Sequence, residues 1–97
     1  MINILITIEV KNFTILAKFE HIAVKIMRFH GGDIISAFET LHNEDGSGQE
    51  THILEFPTES AFLNYRTDPR LLEHADLRDK AIKSTSIVIS TTIKHYI

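Results

Sequence analysis

Side chains alternate between two sets over residues 2 to 10, and this alternation constrains the fold more than any other feature of the sequence. One set is wholly β-branched and consists of Ile2, Ile4, Ile6, Ile8 and Val10. The other set is mixed and consists of Asn3, Leu5, Thr7 and Glu9. A period of two places the two sets on opposite faces of a strand. The chain therefore begins with a β-strand that buries one face in a core.

A helix is predicted to follow this strand, with Asn12 as its N-cap. Its apolar residues recur at three- and four-residue spacing: Ile15, Leu16, Phe19, Ile22, Ala23, Ile26 and Met27. We assign its charged residues to the solvent side: Lys18, Glu20, Lys25 and Arg28. The helix is expected to end at His30-Gly31-Gly32, because a glycine there adopts the left-handed conformation that terminates helices.

The middle of the chain reads as a β-hairpin. Residues 33–42 alternate again, and residues 51–56 form the returning strand. The segment between them, residues 43–50, is polar and contains two glycines, Gly46 and Gly48. With almost no apolar side chain to bury, this loop is predicted to be mobile and dispensable.

The last third of the chain predicts an interrupted helix and a strand. Thr58 is a suitable helix cap, and Pro69 interrupts the helical pattern because it lacks an N–H donor and disfavours helical geometry at Asp68. A new turn starts there, and the pattern continues to Lys83. Residues 86–96 alternate and form the predicted fourth strand.

The resulting order, βαββαβ, predicts a ferredoxin-like α+β domain over residues 1–97, with a four-stranded antiparallel sheet and both helices on one face. The 97 residues allow one core, and 10 basic against 13 acidic residues give a net charge of -3, which disfavours nucleic acid as a partner. The first strand has neither the length of a membrane span nor the basic start of a signal peptide. We therefore expect a cytoplasmic protein with no membrane partner.

The outer face of the sheet points to self-association. It carries Leu5 and Val88 among small hydroxyl residues such as Thr7 and Ser90. A strand face in open solvent usually holds more charge, and two helices cannot cover both sides of a sheet. The sequence thus predicts a homodimer in which two copies pack these faces together about a twofold axis.

Several segments together carry a resemblance to a known superfamily: Phe29-His30-Gly31-Gly32-Asp33, Ile53-Leu54-Glu55-Phe56-Pro57-Thr58, and Tyr65-Arg66-Thr67-Asp68-Pro69 followed by Arg78. With the βαββαβ order, they resemble the dimeric α+β barrel superfamily. The chain is most similar to a small domain-of-unknown-function family near the antibiotic-biosynthesis monooxygenases. The resemblance implies a ligand site between the helices and the sheet.

The resemblance also suggests residues for that site. Related oxygenases use an Asn on the first strand, a Trp near the end of the third strand and a His on the broken helix. His74 and Phe56 fall at the His and Trp positions, whereas only Asn3 is available on the first strand and the chain has no Trp. His74 is the candidate catalytic residue, and the candidate substrate contacts are Phe56, Phe62, Tyr65, Phe38 and His30.

Two classes of function remain open at this point. One is a cofactor-free monooxygenase-like enzyme in which His74 moves a proton on a small apolar or aromatic molecule. The other is a non-catalytic dimer that binds a small molecule or a partner, with a purely structural assembly unit as a third alternative. An enclosed pocket with converging polar groups would favour the first class over a fully packed core.

The remaining polar clusters have weaker interpretations. Six histidines occur without His-x-x-x-His spacing, so no metal is expected beyond a weak chelate of His42 and His52 across the hairpin. The broken helix carries a group of cations that could meet an anionic ligand: Arg66, Arg70, Arg78 and Lys80. Acidic residues are interleaved with them, and local ion pairs are the simpler interpretation.

Overall fold

The computed structural model describes residues 1–96, and only Ile97, the last residue of the expected domain, lies outside them. The elements in chain order are β1 (Ile2–Val10), α1 (Phe13–Phe29), β2 (Asp33–His42), β3 (Gly48–Phe56), α2 (Glu59–Arg66), α3 (Pro69–Leu72), α4 (Ala75–Ala81) and β4 (Ile82–Ser90). The strands form one antiparallel sheet in the order β2-β3-β1-β4. This arrangement confirms the ferredoxin-like α+β fold predicted from the sequence.

Strand β1 is central because it pairs with both β3 and β4. Its β-branched set faces the helices, and Ile4, Ile8 and Val10 are almost fully buried. The opposite set is more exposed: Asn3 and Thr7 are half-buried, and Leu5 retains 43% of its accessible surface. The predicted division of this strand into a core face and an outer face is therefore confirmed.

Helix α1 begins and ends as its sequence indicates. The Asn12 side chain accepts a hydrogen bond from the Ile15 N–H at 3.0 Å. At the other end Gly31 has a φ of 75°, and the Gly32 N–H donates to the Met27 carbonyl at 3.1 Å. A left-handed glycine with this backbone bond is the Schellman arrangement, which satisfies carbonyls that the helix leaves without partners.

The hairpin loop differs from its prediction. It comprises only residues 43–47, and the Asn43 N–H donates to the Ser47 carbonyl at 2.8 Å. The Gly46 carbonyl also accepts the first N–H of α1, that of Phe13, at 2.9 Å. These backbone bonds close the turn and join it to the start of α1, so the loop is shorter and more bonded than expected, while its mobility and dispensability stay predictions.

The second helical region is more broken than predicted. Asp68 caps α3 by accepting the Arg70 N–H at 2.8 Å, which confirms the break at Asp68-Pro69. A second break at residues 73–74 separates α3 from α4, and α4 ends at Ala81 rather than Lys83. Strand β4 begins at Ile82, which pairs with Val10, and ends at Ser90, so both ends lie earlier than the sequence pattern predicted.

The outer sheet face has an apolar centre and a polar margin. One row of paired residues across the sheet is Ser36, Ile53, Leu5 and Val88, and the next is Phe38, Thr51, Thr7 and Ser86. None of these residues carries a charge. Leu5, Phe38 and Val88 are 43%, 53% and 58% exposed. Among the described residues, no helix is both long enough and apolar enough to span a bilayer.

Candidate functional site

A cavity of about 400 Å³ lies between the helices and the inner face of the sheet. Apolar side chains from both layers form most of its wall, among them Ile6, Phe19, Met27, Leu54, Phe62 and Ile87. This size suits a small organic molecule, and an apolar wall with a few converging polar groups is the usual composition of a ligand site.

Glu20 brings a carboxyl group to this cavity from α1. It lies four residues after Leu16 and three before Ala23, and both of those residues are buried. Residues at this spacing share one face of a helix. Glu20 therefore belongs to the inward stripe of α1, and its assignment to the solvent side was wrong.

His52 brings an imidazole to the same cavity from β3. It shares the inner face of the strand with Leu54 and Phe56 because the three residues alternate, and it is only 3% exposed. Its Nε2 lies 2.9 Å from Oε1 of Glu50, two residues earlier on the same face. His52 pairs across the sheet with Ala37, not with His42, so the two histidines do not form the weak chelate considered from the sequence.

The electrostatics of the cavity favour proton exchange at Glu20. Burial raises the pKa of the Glu20 carboxyl, while the charges of His52 and Arg78 oppose that rise and the charge of Glu50 adds to it. Burial also raises the pKa of the Tyr65 phenol well above its ordinary value, so Tyr65 remains a hydrogen-bond donor at neutral pH. A carboxylate whose pKa is raised is a stronger base than one in water.

The aromatic residues predicted for the site occupy three different positions. Phe62 and Tyr65 line the cavity. Phe56 is fully buried behind them, with ring centroids 5.3 Å from Phe62 and 5.6 Å from Tyr65. Phe38 pairs with Thr51 on the outer face of the sheet and does not line the cavity, because the register irregularity between Ile34 and Ser36 sets which face its side chain occupies.

The two predicted histidines lie beside the cavity and not on its wall. His74 is half-buried in the turn before α4, and its neighbours Leu72 and Ala75 line the cavity. The Nε2 of His30 lies 2.8 Å from Oδ2 of Asp68, and its ring meets Tyr65 edge-on at a centroid distance of 6.4 Å. The structure thus brings together Phe62 and Tyr65 and leaves His74, His30, Phe56 and Phe38 outside the lining.

Six polar residues of the lining were not among the predicted site residues: Glu20, His52, Arg66, Arg78, Asp79 and Thr85. Glu20 and His52 had a signal in the sequence. Glu20 sits at heptad-like spacing among apolar residues, and His52 alternates with Leu54 and Phe56. Arg78 had been noted only as part of a mixed-charge helix, and its sequence position alone does not show that it faces inward.

Comparisons with known proteins identify the fold and no closer relationship. No known family model matches the sequence, and no curated protein is detectably similar to it. A protein of unknown function from Rhodopseudomonas palustris superposes with a TM-score of 0.76 at 16% identity, covering 97% of this chain and 83% of that one. A protein from Agrobacterium tumefaciens gives a TM-score of 0.69 at 20% identity, covering 97% and 95%.

A third solved structure is that of an antibiotic biosynthesis monooxygenase. It superposes with a TM-score of 0.65 at 13% identity, covering 97% of this chain and 100% of that one. At these identities the likeness shows a shared fold. Proteins with this fold thus include a monooxygenase and proteins of unknown function.

Proposed function

We propose that the cavity binds a small apolar or aromatic molecule and that the protein acts on it as a cofactor-free, monooxygenase-like enzyme. The observation that carries this proposal is the set of acid–base groups in a mostly apolar cavity, namely Glu20 and His52, with Glu50 bonded to His52. Titratable groups perturbed by burial and gathered in a cleft are typical of catalytic sites. The monooxygenase among the fold neighbours suggests the class of reaction.

The proposed chemistry begins with a proton transfer to Glu20 from an acidic C–H or O–H of the substrate. The raised pKa of Glu20 makes its carboxylate a suitable base, and His52, oriented by Glu50, supports the charge that develops. The electron-rich carbon then reacts with molecular oxygen, which is the second substrate. A methylene carbon becomes a carbonyl carbon: it loses two hydrogens and gains one oxygen atom, and the other oxygen atom leaves as water.

The test begins with a thermal-shift screen of aromatic and enolic compounds, with haem included, because ligands of the native state raise the melting temperature. Compounds that bind are then incubated with the protein in air, and oxygen consumption and product mass are measured. We expect Glu20→Gln to lower the rate about 10²- to 10⁴-fold, the usual cost of losing a general base. Binding should be largely retained.

His74→Ala is the matched comparison, since His74 is the candidate base suggested by the family resemblance. Because His74 lies outside the lining, we expect its removal to change the rate much less than the removal of Glu20. The opposite result would transfer the role of base to His74. Ligands that bind and are never converted would instead favour the non-catalytic binding protein.

The proposed molecule is a homodimer formed through the outer sheet face. The chain is flat, with extents of 39 × 37 × 17 Å. It exposes 6263 Å², whereas a compact monomer of this mass is expected to expose about 5,700 Å². The uncharged row of paired residues that includes Leu5 and Val88 lies at the centre of the outer sheet face. Two copies joined there would bury these side chains on both sides of a twofold axis.

Sedimentation of a charged variant tests the dimer. Val88→Asp would place an unpaired carboxylate in the proposed interface, and we expect monomer or unfolded protein at micromolar concentration. Ala17→Asp, on the exposed side of α1, is the control and should leave the assembly unchanged. A wild-type protein that sediments as a stable monomer would contradict the dimer.

A further inference from the structure

The cations of the broken helix have different environments, although the sequence presents them as one group. The guanidinium of Arg70 binds Asp68 through two hydrogen bonds of 2.7 and 3.1 Å and stacks over the Phe29 ring at 4.2 Å. Arg66 is exposed, with its guanidinium 5.8 Å from the centroid of the Phe62 ring. Both cations are therefore engaged with neighbouring side chains or with solvent.

Arg78 differs from the other cations of this region. It is half-buried on α4 and lines the cavity, whereas Arg66, which also lines the cavity, is exposed to water. Within residues 1–96 it forms no salt bridge and no side-chain hydrogen bond. A cation that is partly removed from water and lacks a protein counter-ion gains free energy when an anion binds beside it.

The acidic residues near Arg78 do not supply that counter-ion. Within residues 1–96 Glu20 forms no salt bridge with Arg78, and burial raises the pKa of its carboxyl although the charge of Arg78 opposes that rise. Asp79 also lines the cavity but is exposed, so water and salt screen its charge. Glu50 is already bonded to His52.

We propose that Arg78 is the anchor for a carboxylate of the ligand, so that the cavity selects apolar monocarboxylates over neutral molecules of the same shape. A guanidinium presents parallel N–H donors that match the two oxygens of a carboxylate. The apolar body would then occupy the cavity beside Phe62 and Leu54. This inference rests on the proposed function of the cavity as a ligand site and adds the chemical class of its ligand.

The test uses two aromatic probes of nearly equal shape, 2-naphthoate and its neutral amide, 2-naphthamide. Isothermal titration at neutral pH should give tighter binding of the naphthoate, by about tenfold or more, as expected for a charge-assisted hydrogen bond. Arg78→Met should abolish this preference while leaving the binding of naphthamide nearly unchanged. Arg78→Lys should restore part of it, because a point charge remains without the paired donors.

Lys80→Met is the control, since it removes one positive charge from the exposed surface of the same helix. It should leave the preference for naphthoate intact, which excludes a general effect of net charge. The role of Arg78 would be overturned if the wild type bound the two probes equally, or if the preference for naphthoate persisted in Arg78→Met. In either case the cavity would remain a ligand site. If neither probe binds, the proposed function of the cavity fails together with this inference.

Discussion

Replacing Gly32 with alanine tests how tightly the chain after α1 packs against Phe56, the buried ring behind the cavity. A Cβ at this position would lie 2.7 Å from Cδ1 of Phe56 and closer still to two other atoms of that ring. Carbon atoms in contact are normally about 3.5–4.0 Å apart. Gly32 is not among the glycines with positive φ, so the cost of the substitution arises from this contact and not from backbone strain.

The Phe56 ring is enclosed by its neighbours. It is fully buried, and Phe62 and Tyr65 pack against it at centroid distances of 5.3 and 5.6 Å. Overpacking of such a core costs about 1–3 kcal/mol. For a chain of this size, about 2 kcal/mol corresponds to a fall in melting temperature of roughly 8–16 °C.

Thermal unfolding followed by circular dichroism, at one fixed protein concentration, measures this fall. The double variant Gly32→Ala/Phe56→Leu is the decisive comparison, because leucine lacks the ring atoms that the new methyl group would meet. If the two substitutions acted independently, their losses in free energy of unfolding would add. We expect the double variant to be more stable than this additive value by about 1 kcal/mol or more. A melting temperature of Gly32→Ala within about 2 °C of the wild type would refute the packing argument.

Three further predictions concern charge and the hairpin. Burial raises the pKa of Glu20, so ionisation of its carboxyl destabilises the native state as the pH rises. Glu20→Gln should therefore raise the melting temperature at pH 7, and this gain should vanish below about pH 4. A gain in melting temperature that is the same at both pH values would contradict the raised pKa. Hydrogen bonds from Arg70 and His30 hold the pKa of Asp68 below its ordinary range. Asp68→Asn should therefore be less stable than the wild type at neutral pH, and the difference in stability should be smaller in acid. A variant as stable as the wild type at pH 7 would contradict the stabilising role of these hydrogen bonds. Shortening residues 43–47 to Asn-Gly removes the hydrogen bond between the Gly46 carbonyl and α1. Chemical denaturation should then show a free energy of unfolding lower by about 1 kcal/mol. An unchanged free energy of unfolding would show that the loop is dispensable.

Local patterns in the sequence were sufficient for most of the fold. The alternation of residues 2–10 predicted β1, and Asn12 and Gly31 marked the ends of the first helix, because strand faces and helix caps depend on residues close in sequence. The start of β4 could not be found in this way. Ile82 continues an apolar pattern that suits a helix or a strand, and its pairing with Val10 across the sheet decides between them.

The candidate site was predicted less well than the fold for a related reason. Glu20 was treated as a surface residue because charged side chains on helices usually face water, although its spacing from Leu16 and Ala23 placed it inward. Phe38 was expected inside, but the register irregularity between Ile34 and Ser36 places it on the outer face. Such shifts depend on strand pairing and leave no mark in the sequence of one strand.

The most direct test of the account is the pKa of the Glu20 carboxyl, measured by NMR on protein with ¹³C-labelled glutamate. The signal is assigned by its loss in Glu20→Gln. We expect a pKa above the ordinary value of 4.5 in the free protein. We also expect the pKa to rise further when 2-naphthoate fills the cavity, because a bound anion and the loss of water both disfavour the ionised form. If the pKa of Glu20 is ordinary in the free protein and does not change when a ligand binds, Glu20 is not the proton-exchanging group of a ligand site.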